Sequence, residues 1–300
     1  MGRDHSRPFL KGNMEGLILD CLGGIYTAET DEGIVSCKAR GLFRKNGISP
    51  CAGDICDVED GVITGIHERK NYILRPPLAN IDIMIFVVST CQPSPDTQIL
   101  DGFIAVCEYK GISPVIALTK NDLKTNTFIP EIYSDICPVI ICDYTDDRSI
   151  DPIRDIISGK VIAFTGNTGV GKSTLLNHIS PDLDVETSEI SRKLGRGRHT
   201  TRVSRLYKVL DGYAADTPGF ATFDFTQYAD ITAPELASCF REFDRFTGKC
   251  RFSDCSHTRE KDCAVIEAVN EGLIARTRHE SYIKMYDVAK NIKDWQRKST

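Results

Sequence analysis

The sequence predicts three units in series: a small β-barrel, a mostly parallel α/β sheet, and a helical unit with a loop of metal-ligand residues. Three observations predict them. Five short β segments crowd into residues 17–67. Near-continuous apolar strands then alternate with helical stretches, and one strand, Val161–Thr165, runs into the glycine-rich loop Gly166–Ser173. A Cys/His-rich run from Cys250 to Cys263 lies beyond the last of these strands.

At 300 residues the chain has room for two or three domains. It divides into a possible leader or tag at 1–13, a barrel at 14–72, a nucleotide-binding α/β domain at 73–225 and a helical metal-binding domain at 226–300. Met14 is a plausible natural start, and the MGRDHS terminus fits a loose myristoylation pattern only in passing. With 41% apolar and 26% charged residues, composition is that of a globular protein. No apolar run approaches ~20 residues, so no membrane-spanning helix is predicted. A net charge of −5 argues against a general nucleic-acid coat and leaves RNA contact to local patches. Twelve cysteines without a secretory signal indicate reduced thiols and a metal site, and hence the cytoplasm.

The barrel strands are Leu17–Leu19, Gly24–Ala28, Gly33–Ala39, Asp54–Val58 and Val62–His67, parted by turns such as Gly23-Gly24 and Asp60-Gly61. Five strands in so short a span fit an OB-fold, and an SH3-like barrel nearly as well. Arg75-Pro76-Pro77 reads as a linker. Ile81–Val88, Val115–Leu118, Val139–Cys142 and Val161–Thr165 read as strands buried on both faces, and Asp96–Tyr109 as an amphipathic helix. Further on, Pro234–Phe243, Ala264–Gly272 and Arg276–Lys290 read as helices.

The loop Gly166-Asn167-Thr168-Gly169-Val170-Gly171-Lys172-Ser173 fits G-x-x-x-x-G-K-[ST], with Thr174 opening the following helix. Its strand–loop–helix setting is what this phosphate-binding motif requires. Glycines let backbone N–H groups turn towards phosphate oxygens, and the helix N-terminus adds a favourable dipole. Lys172 is expected at the β- and γ-phosphates and Ser173 on Mg²⁺. Thr119-Lys120-Asn121-Asp122 follows a buried strand, where ligand loops belong. The Asp122 carboxylate accepts from guanine N1–H and the N2 amine; adenine offers neither, so the site favours guanine. The stem of Lys120 is suited to lie over the base.

Asp216-Thr217-Pro218-Gly219 follows the strand Gly212–Ala215. In a DxxG motif the Asp reaches Mg²⁺ through water and the Gly N–H senses the γ-phosphate. The polar stretch Gly195–Arg202 has the composition of a switch loop, and either Thr200 or Thr201 would complete the Mg²⁺ shell of the GTP state.

The order is therefore base reader, phosphate loop, switch I, switch II, whereas in an ordinary GTPase the phosphate loop comes first and the base reader follows it. With TKND, GNTGVGKST, GRGRHTTR, DTPGF and a Cys/His segment, nearly the whole chain resembles the ribosome small-subunit-dependent GTPase A family of circularly permuted GTPases. The resemblance implies an α/β P-loop GTPase with a circularly permuted, mostly parallel sheet, an N-terminal OB-fold β-barrel and a C-terminal helical zinc-binding domain. It also implies GTP hydrolysis stimulated by the small ribosomal subunit and its rRNA, in late subunit maturation. Joining surface termini leaves a sheet intact, so permutation costs little. It also connects the end of switch II directly to the C-terminal domain. The loop after Val139–Cys142 reads Cys142-Asp143-Tyr144 and departs from the family's Ser-Ala-like pattern, so the second set of base contacts stays open.

Phe220 stands where Ras-type enzymes place a water-orienting glutamine. A phenyl ring cannot do that work, and His199, the histidine of the switches, is the candidate; the alternative is a solvated residue or an RNA contact. Cys250-x4-Cys255-x-His257-x5-Cys263 is a Cys₃His set, the donor set of closed structural Zn²⁺ sites, with one ion expected per chain. Cys51-x4-Cys56 reads as buried thiols. From Arg192 to Lys208 there are seven Lys/Arg and no acid, a patch suited to phosphate contact. Lys284, Lys290, Lys293, Arg297 and Lys298 read as helix-surface charges. A monomer is expected. Two rival functions remain: a GTP-dependent switch acting on a protein effector, and an RNA-binding module with a vestigial nucleotide site.

Overall fold

The structure, a computed structural model, describes residues 14–45, 47–181, 205–216 and 225–292. Five strands form a closed barrel: β1 (Met14–Leu22), β2 (Ile25–Thr30), β3 (Gly33–Ala39), β4 (Ile55–Glu59) and β5 (Val62–Ile66). Their order is β1-β2-β3-β5-β4, with β1 closing onto β4 and β3 parallel to β5. That Greek-key closure, with α1 (Gly41–Lys45) between β3 and β4, is the OB arrangement and sets aside the SH3-like alternative. Two hairpins are set by local chemistry. Gly23 and Gly24 hold φ of 60° and 82°, and Asp60 and Gly61 hold 48° and 74°, the paired positive φ of two-residue turns that match strand twist. Inward-facing Ile18, Ala28, Cys37, Cys56, Val58 and Ile63 fill the barrel.

The predicted linker is a β-ribbon instead. β6 (Tyr72–Leu74) pairs antiparallel with β7 (Pro77–Ala79), Leu74 opposite Pro77. Proline is tolerated at the first residue of a strand, so the motif that excludes a central strand permits this one. Asn71 fastens the ribbon by exchanging two side-chain hydrogen bonds with the Ile81 backbone, at 2.8 and 2.9 Å.

The second sheet has six strands in the order β10-β9-β8-β11-β13-β12: β8 (Ile83–Ser89), β9 (Ser113–Thr119), β10 (Val139–Ile141), β11 (Val161–Thr165), β12 (Leu206–Val209) and β13 (Gly212–Asp216). All pairs are parallel except β12–β13. The central strands are buried on both faces. Met84 and Phe86 of β8 join the core that includes α2 (Thr97–Lys110), while Ile83, Ile85 and Val87 join the core under α4 (Asp151–Ile157) and α5 (Lys172–Ile179). A short α3 (Phe128–Tyr133) lies between β9 and β10. Asp96 caps α2 by accepting from the Gln98 and Ile99 amides at 3.0 and 3.2 Å.

The C-terminal unit packs on α2. It contains α6 (Ala233–Leu236), α7 (Ala264–Asn270) and α8 (Arg276–Asn291). The single helix expected over Pro234–Phe243 is broken: α6 ends at Leu236, and two 3₁₀ turns, Ala237–Cys239 and Arg241–Phe243, follow. The extended Phe240 between them lets both Phe240 and Phe243 bury against Tyr282, at ring distances of 5.2 and 5.0 Å. Burial of two aromatic rings outweighs a few helical hydrogen bonds. No helix among the described residues is long and apolar enough to cross a membrane.

Candidate functional site

The base-reading and phosphate-binding motifs, far apart in sequence, meet at the C-terminal edge of the parallel sheet. β9 and β11 flank β8, so the loops that leave them lie side by side. The Thr119 hydroxyl donates to the Val170 carbonyl at 2.6 Å, bonding one loop to the other. Lys120 adopts a left-handed φ of 61°; its carbonyl accepts from the Thr90 hydroxyl at 2.7 Å, and its ammonium bonds the Gln92 carbonyl. This turn leaves Asp122 exposed, with the Asn121 Oδ1 buried and unpartnered.

Gly166 holds φ of 142° and lies so close to β8 that a Cβ would fall 2.3 Å from the Val87 carbonyl oxygen. Only glycine fits. Val170 is buried and anchors the middle of the loop. Lys172 donates to the Gly166 and Asn167 carbonyls at 2.7 and 3.1 Å, which lays its ammonium across the loop. Ser173 and Thr174 follow in the first turn of α5, after Gly171 at φ 101°. This backbone is shaped as a cradle for phosphate oxygens. A cavity on the loop's other side, between β8 and α2, is lined by Phe86, Ile99 and Phe103. Its one ionisable lining group, Asp96, is an anion, so it does not suit phosphate.

The loop after β10, open at the sequence level, brings Tyr144 to this site. Asp143 closes the loop on itself. Its carboxylate accepts from the Thr145 amide and hydroxyl at 2.9 and 2.7 Å, and its amide donates to Ser149 Oγ at 3.0 Å. The Tyr144 ring stacks on His178 of α5, centroids 4.6 Å apart and planes 12° from parallel. Sequence reasoning missed this pair, which exists only because the segment after β10 packs against α5. Asp216 ends β13, which carries its backbone beside β11. His199, Thr200, Thr201, Gly219 and Phe220 lie outside the described residues, as do the leader, most of the basic run and Lys293, Arg297 and Lys298.

The four metal-ligand candidates converge. One donor atom each from Cys250, Cys255, His257 and Cys263 lies within 4.8 Å of the other three. Cys250 Sγ is 3.8 Å from Cys263 Sγ, and His257 Nδ1 is 3.5 and 3.4 Å from these two sulfurs. Zinc–sulfur and zinc–nitrogen bonds of ~2.3 and ~2.0 Å put tetrahedral edges at about 3.8 and 3.5 Å, so the donor set fits Zn²⁺ with no open position. Three residues outside the ligand set hold it. The Glu260 carboxylate accepts from the Ser256, Thr258 and Arg259 amides at 2.9, 3.0 and 3.1 Å and from the Ser256 hydroxyl; burial opposes its charge, but the Ser256 hydroxyl and the backbone amides together draw its pKa down to about 2. From α8, His279 Nε2 donates to the His257 carbonyl and Tyr282 to the Ser256 carbonyl, both at 2.7 Å. The Cys51 and Cys56 thiols are buried in and beside the barrel, and burial pushes Cys56 up to about 12.

Comparison with known proteins agrees with this geometry. Residues 66–226 match the RsgA GTPase family, and residues 15–62 match the RsgA N-terminal domain. The small ribosomal subunit biogenesis GTPase RsgA of Streptococcus pneumoniae is 40% identical over 95% of this chain and 98% of its own length. That of Clostridium perfringens is 40% identical over 90% and 96%. Among solved structures, YjeQ from Thermotoga maritima superposes with a TM-score of 0.77 at 32% identity, covering 94% of this chain and all of its own. YloQ, described as a circularly permuted GTPase, gives 0.74 at 31%, covering 96% and 98%. The sheet order, the converging loops and these matches along both chains lead to one conclusion: this chain is a circularly permuted GTPase and belongs to the RsgA family.

Proposed function

We propose that this GTPase binds the small ribosomal subunit and its rRNA, and that the subunit stimulates hydrolysis of GTP to GDP and phosphate during late subunit maturation. The observation that carries this reading is full-length likeness. The barrel, the permuted sheet and the Cys₃His unit all lie within the span shared with relatives named for small ribosomal subunit biogenesis. The work is cytoplasmic and the working form is a monomer.

In this reading the backbone of Gly166–Ser173 and Thr174 holds the phosphates, and the Lys172 ammonium neutralises charge on the β- and γ-oxygens. Thr119, Lys120, Asn121 and Asp122 form the base end. Thr119 works indirectly, because its hydroxyl is committed to Val170. Asp122 is exposed and free to read guanine. Ser173, one of Thr200 and Thr201, and Asp216 through water would hold Mg²⁺, which supplies charge neutralisation between the β- and γ-phosphates. Gly219 senses the γ-phosphate, and His199 orients the attacking water. Zn²⁺, held by Cys250, Cys255, His257 and Cys263, is structural. Exposed Arg205 and Lys208 end the basic run on β12, beside the barrel.

Co-sedimentation with purified small subunits tests the reading. Binding should be stronger with a non-hydrolysable GTP analogue than with GDP, and weaker as salt rises. His199→Ala should bind as well while losing stimulated turnover. No binding to small subunits in either nucleotide state, and no stimulation of turnover by them, would instead support a protein effector.

A further inference from the structure

The base end of the site contains a hydrogen-bonding group that the TKND motif does not account for. Asp122 satisfies the N1–H and N2 donors of guanine, and leaves the O6 acceptor to be met by a donor from the protein. The donors described nearby are largely committed. The Thr119 hydroxyl is bonded to Val170, the Asp143 amide to Ser149 and the Lys120 ammonium to Gln92. The Tyr144 hydroxyl is not: it is buried and has no hydrogen-bond partner among the described residues. It lies 3.8 Å from where a Gly171 Cβ would stand, at the end of the phosphate loop. Leaving a buried hydroxyl unpaired costs free energy, so its persistence here calls for a partner, which a bound ligand would supply.

We propose that Tyr144 is a base-specificity residue whose hydroxyl donates to O6 of guanine, so that Asp122 and Tyr144 read opposite hydrogen-bonding polarities of one base edge. This rests on the nucleotide site proposed above. The loop is built for the task. Asp143 closes it at both ends, and stacking on His178 fixes the ring, so little side-chain freedom is lost on binding. Burial, with Cys142 and Asp122 nearby, raises the phenol well above its ordinary value, so it stays a protonated donor.

Equilibrium binding of GDP and 6-thio-GDP to the wild-type protein and to Tyr144→Phe tests the proposal. The thio analogue keeps N1–H and the N2 amine for Asp122 and replaces O6 by a weak acceptor. The wild type should prefer GDP by about three- to tenfold, the worth of one neutral hydrogen bond. Tyr144→Phe should weaken GDP by the same factor, leave 6-thio-GDP nearly unchanged, and so erase the preference. A variant that weakens both nucleotides equally would show Tyr144 to be merely structural and overturn the proposal. So would unchanged binding of both. Failure of GDP to bind the wild type would instead count against the nucleotide site itself.

Discussion

Asp122 and Gly166 illustrate two kinds of legibility at the scale of single residues. Gly166 was readable because its backbone geometry admits no side chain, and the motif spacing records that constraint. Asp122 was readable because a carboxylate pairs with guanine and not with adenine. On this assignment Asp122→Asn should weaken GTP by roughly a hundredfold, since two charge-assisted hydrogen bonds of about 1.5–3 kcal/mol are affected. It should favour xanthosine triphosphate, whose O2 accepts from an amide. Competition binding with the two nucleotides checks this. Tyr144 was not legible. Its value lies in closeness to Gly171 and His178, which no local pattern encodes. The Thr119–Val170 bond was hidden for the same reason: both motifs could be read, but the contact joining them is a product of strand order.

At the scale of elements, the sequence foretold what periodicity and turn chemistry dictate. The barrel hairpins, the capped α2 and the buried strands of the sheet came out within a few residues. The exceptions are places where tertiary packing decides. Pro77 opens a ribbon strand because its missing N–H falls at the strand's first residue, and Phe240 breaks a helix so that two rings reach Tyr282. The ligands of the metal loop were plain from their spacing, but its supports were not. Glu260, which ties the Ser256, Thr258 and Arg259 amides around His257, looks like an ordinary surface acid in sequence. Glu260→Ala should keep the four ligands yet lower zinc affinity by about tenfold. Metal content after dialysis against graded chelator, with thermal unfolding in parallel, checks it. Unchanged retention would place the support elsewhere, in His279 and Tyr282 of α8.

At the scale of the whole molecule, side-chain ion pairs tie each flanking unit to the permuted sheet and its α2. The barrel rests on the strands beside the candidate switch loop. Tyr213 of β13 donates to Glu29 at 2.8 Å, Lys208 of β12 pairs with Glu29 at 3.3 Å, and Arg205 pairs with Asp20 at 3.4 Å. α8 sends Arg278 towards α2, where it pairs with Asp101 at 3.0 Å, and it also pairs at 2.7 Å with Glu242 of the 3₁₀ turn Arg241–Phe243. The Arg278–Asp101 pair joins the C-terminal unit to α2 and was invisible in sequence. Arg278→Met should destabilise the protein by about 3–5 kcal/mol, because it strands the buried Asp101 carboxylate and the partly buried Glu242 carboxylate. Adding Asp101→Leu and Glu242→Leu should recover much of the loss. Denaturant unfolding of the two variants checks both. The measurement that bears most directly on the central claim is GTP turnover by the purified protein, alone and with small ribosomal subunits, with ATP and large subunits as controls. Slow intrinsic turnover should rise strongly with small subunits and GTP only. Turnover indifferent to small subunits would contradict that claim.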